Sequence, residues 1–364
     1  MTTEPKAVLT EHQVSMTEWF AAIGEISEAE AFRDEDNRKA ERLGVLQDVL
    51  DLPYRRPVVF PAAEAKALTP DFQQFLAERG KESCAFRLTS TDPSLPKLRN
   101  RGLTAERCYK EWFLTLEIDF DQYTLSIFPN ETEISWSTIF VVSPEAIFGE
   151  IVEGKHAQLS QGNNQFPVYQ FRYDFNTWQW SAPNPEAQQE MEEVIAYLKA
   201  TGEQQAILRE AIQAEFSHDY LCGYFETTVP TGEHHFFIDY NRVLPRYIPT
   251  PPPFSTGETG GLKGTIAQQG KAEGLACVVA SFEDPVEFPV GSILVCEMTD
   301  VRFLPYMQKA SAIVTAKGGM LSHAAIIARE LKKPCIVGVK DAVQTLKTGQ
   351  LLRVDATTGT ITLL

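Results

Sequence analysis

The sequence predicts a multidomain chain of mixed α/β and α+β class. Three observations lead there. Thr315–Gly338 reads as a tight glycine turn, an apolar helix and a short buried strand. From Asp121 onward, β-branched and aromatic runs alternate with turn residues such as Pro129-Asn130 and Ser143-Pro144, the pattern of consecutive strands. Between these regions, TPPPFSTGETGG at 250–261 reads as a linker, its prolines extended and its glycines free. At 364 residues the chain is long enough for two or three cores. The expected divisions are a helical N-terminal region over 1–80, a domain over 81–249, the linker over 250–261 and a C-terminal domain over 262–364.

Charge and cysteine usage narrow the function classes. A net charge of −16 opposes a generic nucleic-acid surface and an anionic membrane. The six cysteines contain no C-x-x-C pair, so reduced core residues of a cytoplasmic protein are expected, not a disulfide frame or a zinc site. No signal peptide and no bilayer-length apolar run is expected.

Along the chain, Trp19, Phe20, Ile23 and Ile26, then Leu43, Leu46 and Leu50, fall at helical spacing. The charge run from Glu28 to Glu41 reads as a solvated helix face, and the first eighty residues offer no chemistry. Val58–Pro61 reads as a strand and Asp71–Arg79 as a helix closed by Gly80. Cys84–Asp92 then delivers Arg87 into a hydroxyl-rich turn, with Lys97, Arg99, Arg101 and Arg107 after it. Guanidinium forks suit phosphate oxygens. Read alone, however, the stretch is an ordinary surface loop. His156 reads as a loop histidine. FPVYQFRYDFNTWQWSA alternates as an aromatic strand pair, and Glu186–Phe216 is periodic as helix.

Gly223–Thr228 and His234–Arg242 read as paired strands around a turn at Pro230–Gly232. Alternation places Asp239 and Asn241 on one face. Together with Glu226 they offer two carboxylates and an amide oxygen, a set that suits Mg2+. The plain alternative is the polar face of a sheet edge.

The most informative stretch surrounds His323. Gly318 and Gly319 permit a tight turn, Ser322 can cap a helix, and Ala324–Leu331 give that helix a broad apolar face ended by Pro334. His323 therefore sits in the first helical turn, where the dipole and free N–H groups favour an anion. A neutral imidazole there is a nucleophile, and the same dipole stabilises the phosphorylated product. The plain alternative is a structural histidine at a helix start.

Thr315, Gly318, Gly319, Ser322, His323, Ala324, Ala325, Ile326, Ala328 and Arg329 match T-x-x-G-G-x-x-S-H-A-A-I-x-A-R. The segment thereby resembles the phosphohistidine, or swivelling, domain of the PEP-utilising enzymes, such as PEP synthase, pyruvate phosphate dikinase and rifampin phosphotransferase. The resemblance runs from about Gly261 to the end, through GSILVCEMTD with an exposed Thr299 and a closing hairpin VDATTGTITLL. It implies a swivelling β/β/α domain with His323 as phosphoryl carrier. The Arg87 turn and FGEIVEG, with Gly149, Glu150 and Gly154, resemble the ATP-binding domain of the same enzymes. The resemblance implies an ATP-grasp-like domain with Arg87 and Glu150 at the nucleotide and Glu226, Asp239 and Asn241 at Mg2+. The family's branch carries Gln where this chain has Asn241. Nothing in the first 80 residues matches the family's glycine-rich segment and its lysine; Lys66 and Lys81 are weak substitutes. No PEP-binding barrel is expected after the swivelling domain.

The function expected from these motifs is phosphotransfer. His323 accepts a phosphoryl group from ATP–Mg2+ or PEP and passes it to an acceptor, either a small molecule or a separate acceptor or PEP-binding subunit. The competing reading is a catalytically reduced phosphocarrier or binding module that depends on another subunit. An ATP-grasp ligase is disfavoured, because acyl phosphate chemistry needs no carrier histidine.

Overall fold

The structure, a computed structural model, describes residues 16–92, 95–130, 133–161, 166–251, 262–280 and 287–364. Residues 252–261 of the expected linker lie outside the described residues. The described residues fall into two units, one containing Tyr54–Glu133 and the other residues 16–53 together with Ile134–Leu364. The expected boundary at residue 80 is not where the chain divides. Pairing of Val58–Pro61 with Thr124–Pro129 ties residues 54–80 into the first unit, whereas the N-terminal helices α1 (Met16–Ala22), α2 (Ile26–Asn37) and α3 (Lys39–Leu50) belong with the later sheet.

The first unit contains β1 (Val58–Pro61), α4 (Ala62–Lys66), α5 (Pro70–Arg79), β2 (Ser83–Thr89), β3 (Leu98–Thr104), α6 (Ala105–Glu111) and β4 (Thr124–Pro129). Its strands form an antiparallel sheet in the order β1-β4-β2-β3. Strict alternation in β2 sends Cys84, Phe86 and Leu88 into a core shared with Phe72, Phe75, Tyr109 and Phe113, and leaves Arg87 on the other face.

The second unit continues with β5 (Ile134–Val142), β6 (Ile147–Glu153), α7 (Ala157–Gln161), β7 (Val168–Tyr173), β8 (Trp178–Trp180), α8 (Pro185–Ala196) and α9 (Gly202–Ile212). The expected helix over 186–216 is thus two helices. Thr201 forms a capping box with Gln204 and restarts the chain as α9. A short hairpin of β9 (Phe216–Ser217) and β10 (Tyr220–Leu221) leads to β11 (Gly223–Pro230) and β12 (Phe236–Asn241). Among the described residues these strands make an antiparallel sheet ordered β12-β11-β5-β6-β7-β8.

The C-terminal domain contains β13 (Leu262–Lys263), β14 (Thr265–Gln268), β15 (Lys271–Val279), β16 (Ile293–Cys296), α10 (Leu304–Lys309), β17 (Ala312–Thr315), α11 (His323–Glu330), β18 (Cys335–Val337), α12 (Ala342–Thr345), β19 (Leu351–Asp355) and β20 (Thr360–Leu363). Strands β15 to β18 run parallel, and their fully buried runs (Ile293–Cys296, Ala312–Thr315) suit a sheet covered on both faces. The loop before α11 leaves the carboxyl end of β17, the usual ligand position in parallel sheets. One apolar core unites α1 and α2 (Trp19, Phe20, Phe32), the sheet (Ile139, Val141, Phe148, Val152) and the C-terminal domain (Leu294, Ile313, Met320, Ile326, Ile327). Among the described residues, no helix is long and apolar enough to cross a membrane.

Candidate functional site

The sheet of the second unit carries one polar row across its strands. Asp239 of β12 lies opposite Glu226 of β11, which faces Ile139 of β5, then Glu150 of β6, then Gln170 of β7. Residues directly opposite in antiparallel strands share a face. Three carboxylates and an amide are thus aligned on the face that packs into the common core.

The loop before α11 is set on this row. Thr315 is buried at the end of β17 and its hydroxyl donates to the Lys317 carbonyl at 2.7 Å, which tightens the turn. Gly318 has φ +98°, a conformation that favours glycine. Ser322 caps α11, accepting the Ala325 N–H at 3.4 Å, and the His323 backbone opens the helix. The His323 side chain lies outside the described part of the structure. Arg329 braces the loop from the helix side, donating from Nε to the Ala267 carbonyl at 2.8 Å and from Nη2 to the Met320 carbonyl at 2.7 Å. Burial lowers its pKa to about 10.

Glu150 joins loop and sheet. It is 2% exposed, and its Oε1 accepts the Met320 N–H at 3.2 Å and the Gln170 side-chain amide at 3.0 Å. The same Gln170 nitrogen donates to the Thr265 hydroxyl at 2.8 Å. A Cβ on Gly319 would overlap the Glu150 carboxylate, so a larger residue there would push Glu150 off its Met320 and Gln170 contacts. Burial pushes the Glu150 carboxyl up, against the downward pull of Gln170 and the Met320 amide. Glu150, expected at a nucleotide, contacts the phosphohistidine-type loop in this structure.

The other end of the row is an ion-pair cluster. Glu226 Oε2 lies 3.1 Å from His156 Nε2, and Oε1 accepts the Tyr224 hydroxyl at 2.6 Å. Asp239 Oδ2 accepts from Lys39 Nζ at 2.9 Å, and Lys39 also lies 3.8 Å from Asp36. Burial would raise the Glu226 pKa, but the charges of His156 and Lys39 outweigh it and hold it at about 2. Burial likewise disfavours the charged His156, yet Glu226 raises its pKa overall. Burial raises Asp239, with Lys39 pulling against it. Lys39, from the first eighty residues, thus supplies a cation to this cluster. The Glu28–Glu41 run is not simply a solvated face, because Glu35 is buried between Arg42 (3.0 Å) and Arg242 (3.0 Å from Nε). His156 is an ion-paired residue, not a plain loop histidine.

The expected Mg2+ set does not fit as it stands. The Asn241 side-chain oxygen accepts the N–H groups of Val243 and Leu244, both at 2.8 Å, and so shapes the turn after β12. Both Glu226 oxygens and one Asp239 oxygen are engaged within the protein. Among the described residues no group of three or more His, Cys, Asp or Glu could hold a metal. Arg87 belongs to the first unit, where it lies across from Arg99 and Ser126 in its sheet. Thr299, expected to be exposed, is buried at 8% exposure, and its hydroxyl has no hydrogen-bond partner among the described residues.

A family model described as PEP-utilising enzyme, mobile domain, matches residues 288–359. The C-terminal domain is a mobile domain of this type. The chain is 45% identical over 101 residues to a phosphoenolpyruvate synthase of Aeropyrum pernix, covering 28% of this chain and 12% of that protein. The corresponding figures for a phosphoenolpyruvate synthase of Pyrococcus furiosus are 44% over 100 residues, 28% and 12%. The chain thus spans about an eighth of the length of these curated relatives. A solved D-cycloserine synthetase, DcsG, aligns with 62% of this chain and 70% of its own at 13% identity and TM-score 0.32, a likeness that carries no argument about activity. The mobile-domain match includes the loop, Ser322, His323 and Arg329, whereas Lys39, His156, Glu226 and Asp239 lie outside it.

Proposed function

We propose that the protein is a phosphotransferase-type carrier in which His323 takes up a phosphoryl group from ATP or PEP and passes it to an acceptor. The observation that carries this reading is the Ser322-capped helix opening at His323 inside the matched mobile domain. The helix N-terminus stabilises the added negative charge. In the transfer, an N–P bond forms on the imidazole as the donor's P–O bond breaks, and the electron pair leaves on the donor oxygen. Acceptor oxygen later displaces the imidazole. This chain's residues position the reacting group: Arg329 and Thr315 shape the loop, Glu150 docks it, and Gln170 holds Glu150 from the neighbouring strand. No step is assigned to Asp239, Glu226 or Asn241.

The occupied carboxylate pair favours a second reading, in which a separate protein charges the carrier. Incubation with 32P-labelled ATP or PEP, with and without divalent cation, tests both. Acid-labile, base-stable label that disappears in His323→Ala is expected. Equal labelling of wild type and variant overturns the carrier role. Label that appears on His323 only after a partner protein is added selects the second reading.

A further inference from the structure

The Glu226–Asp239 pair has the position of a cation site and is filled by the protein itself. Two carboxylates face one another across β11 and β12, and two basic side chains sit on them: Lys39 on Asp239 at 2.9 Å, and His156, which pairs with Glu226 when protonated, at 3.1 Å. All four side chains are only about one-fifth exposed (19–22%). A divalent ion would need the oxygens that Lys39 and His156 already occupy, so metal and resident basic groups compete for the same site. Lys39 is not on a wandering chain end. It is the first residue of α3, which packs along β12 and α9. The turn between α2 and α3 is pinned by Glu35, which receives the Arg242 backbone N–H at 3.1 Å, its Nε at 3.0 Å and the Arg42 guanidinium at 3.0 Å. The segment that carries Lys39 is thereby clamped to the end of the strand that carries Asp239.

We propose that Lys39 is the resident cation of the Glu226–Asp239 pair, and that it closes to divalent metal a site the paired strands would otherwise form. The pair is balanced without an external ion, and removal of the Lys39 ammonium uncovers it.

Mn2+ alone is the probe, read as the loss of its free electron-paramagnetic-resonance signal during titration. Lys39→Met keeps the aliphatic stem and removes the charge. The expected result is at least about tenfold tighter Mn2+ binding than in wild type. That gain disappears when Glu226→Gln is added, while Lys39→Arg leaves the site closed. A folded Lys39→Met that gains no Mn2+ binding overturns the proposal. Should Lys39→Met not fold, Glu226→Gln alone decides. It leaves wild-type Mn2+ binding unchanged if Lys39 fills the site, and removes a binding event if the wild-type site is open.

Discussion

Gly319 is glycine for a reason that no backbone angle discloses. Its φ is not among the positive values, yet any Cβ would run into the Glu150 carboxylate. Gly319→Ala is therefore expected to destabilise the second unit by about 1–3 kcal/mol in denaturant unfolding, as overpacking does. Glu150→Ala in the same chain should recover most of that loss. His156 gives a pH signature. Its folded pKa is raised, because Glu226 outweighs the penalty of burial. Its stabilising contribution is thus complete below the ordinary value of about 6.5 and is lost as pH rises through the raised value. Stability of the second unit should fall over that range, and His156→Gln should flatten the fall. Unfolding curves from about pH 5.5 to 9 check this, and a variant with the wild-type slope would refute it.

At the level of elements, β17, α11 and β18 form the unit that presents His323. The cap is local: Ser322 accepts the Ala325 N–H and sets the backbone entry into α11. Ser322→Ala should cost about 1 kcal/mol. It should also speed amide exchange in the first turn of α11 more than in β17, which hydrogen-exchange mass spectrometry can read. Uniform protection would mean that the docked loop, not the cap, holds the helix start. The N-terminal helices are a different kind of element. Their charges read as a water-facing stripe because the apolar spacing of Trp19 and Phe20 or Leu43 and Leu46 explains the helices by itself. What turns Glu35 and Lys39 inward is the strand they pack on, and that strand is 200 residues away in sequence (Lys39 to Asp239).

For the molecule, the decisive fact within the second unit is a single core joining the sheet to the mobile domain. Moving that domain off the sheet exposes side chains worth about 1.5–3 kcal/mol each when fully buried. Any displacement of that domain from the sheet must offset this cost with ligand or partner contacts. Ile139, 3% exposed in β5, sits in this core. Ile139→Ala should cost about 2–5 kcal/mol and should accelerate amide exchange in β16 and β17 as well as in β5 and β6. Acceleration confined to the sheet would show that the two parts unfold independently.

The sequence by itself determined the loop and its histidine. The glycine pair, the Ser cap, the alanine-rich helix and the terminating proline are contiguous, so local rules and the family signature both reach them. It also determined strand alternation, which put Asp239 and Asn241 on one face of β12; the register that sets Glu226 opposite Asp239 came only with the strand pairing. Tertiary structure alone decided what those groups meet. Glu150 touches the loop because β6 and the mobile domain share a core, a contact of |i−j| = 170 that no local pattern encodes. Lys39 gives no signal in the sequence, because a lysine at a helix start is ordinary until Asp239 is found 2.9 Å away. Asn241 reads as a ligand by alternation, and its side chain instead caps the turn after β12. The physical reason is the same in each case. Sequence periodicity fixes which face a side chain takes, whereas burial and charge pairing are set by whichever distant element covers that face.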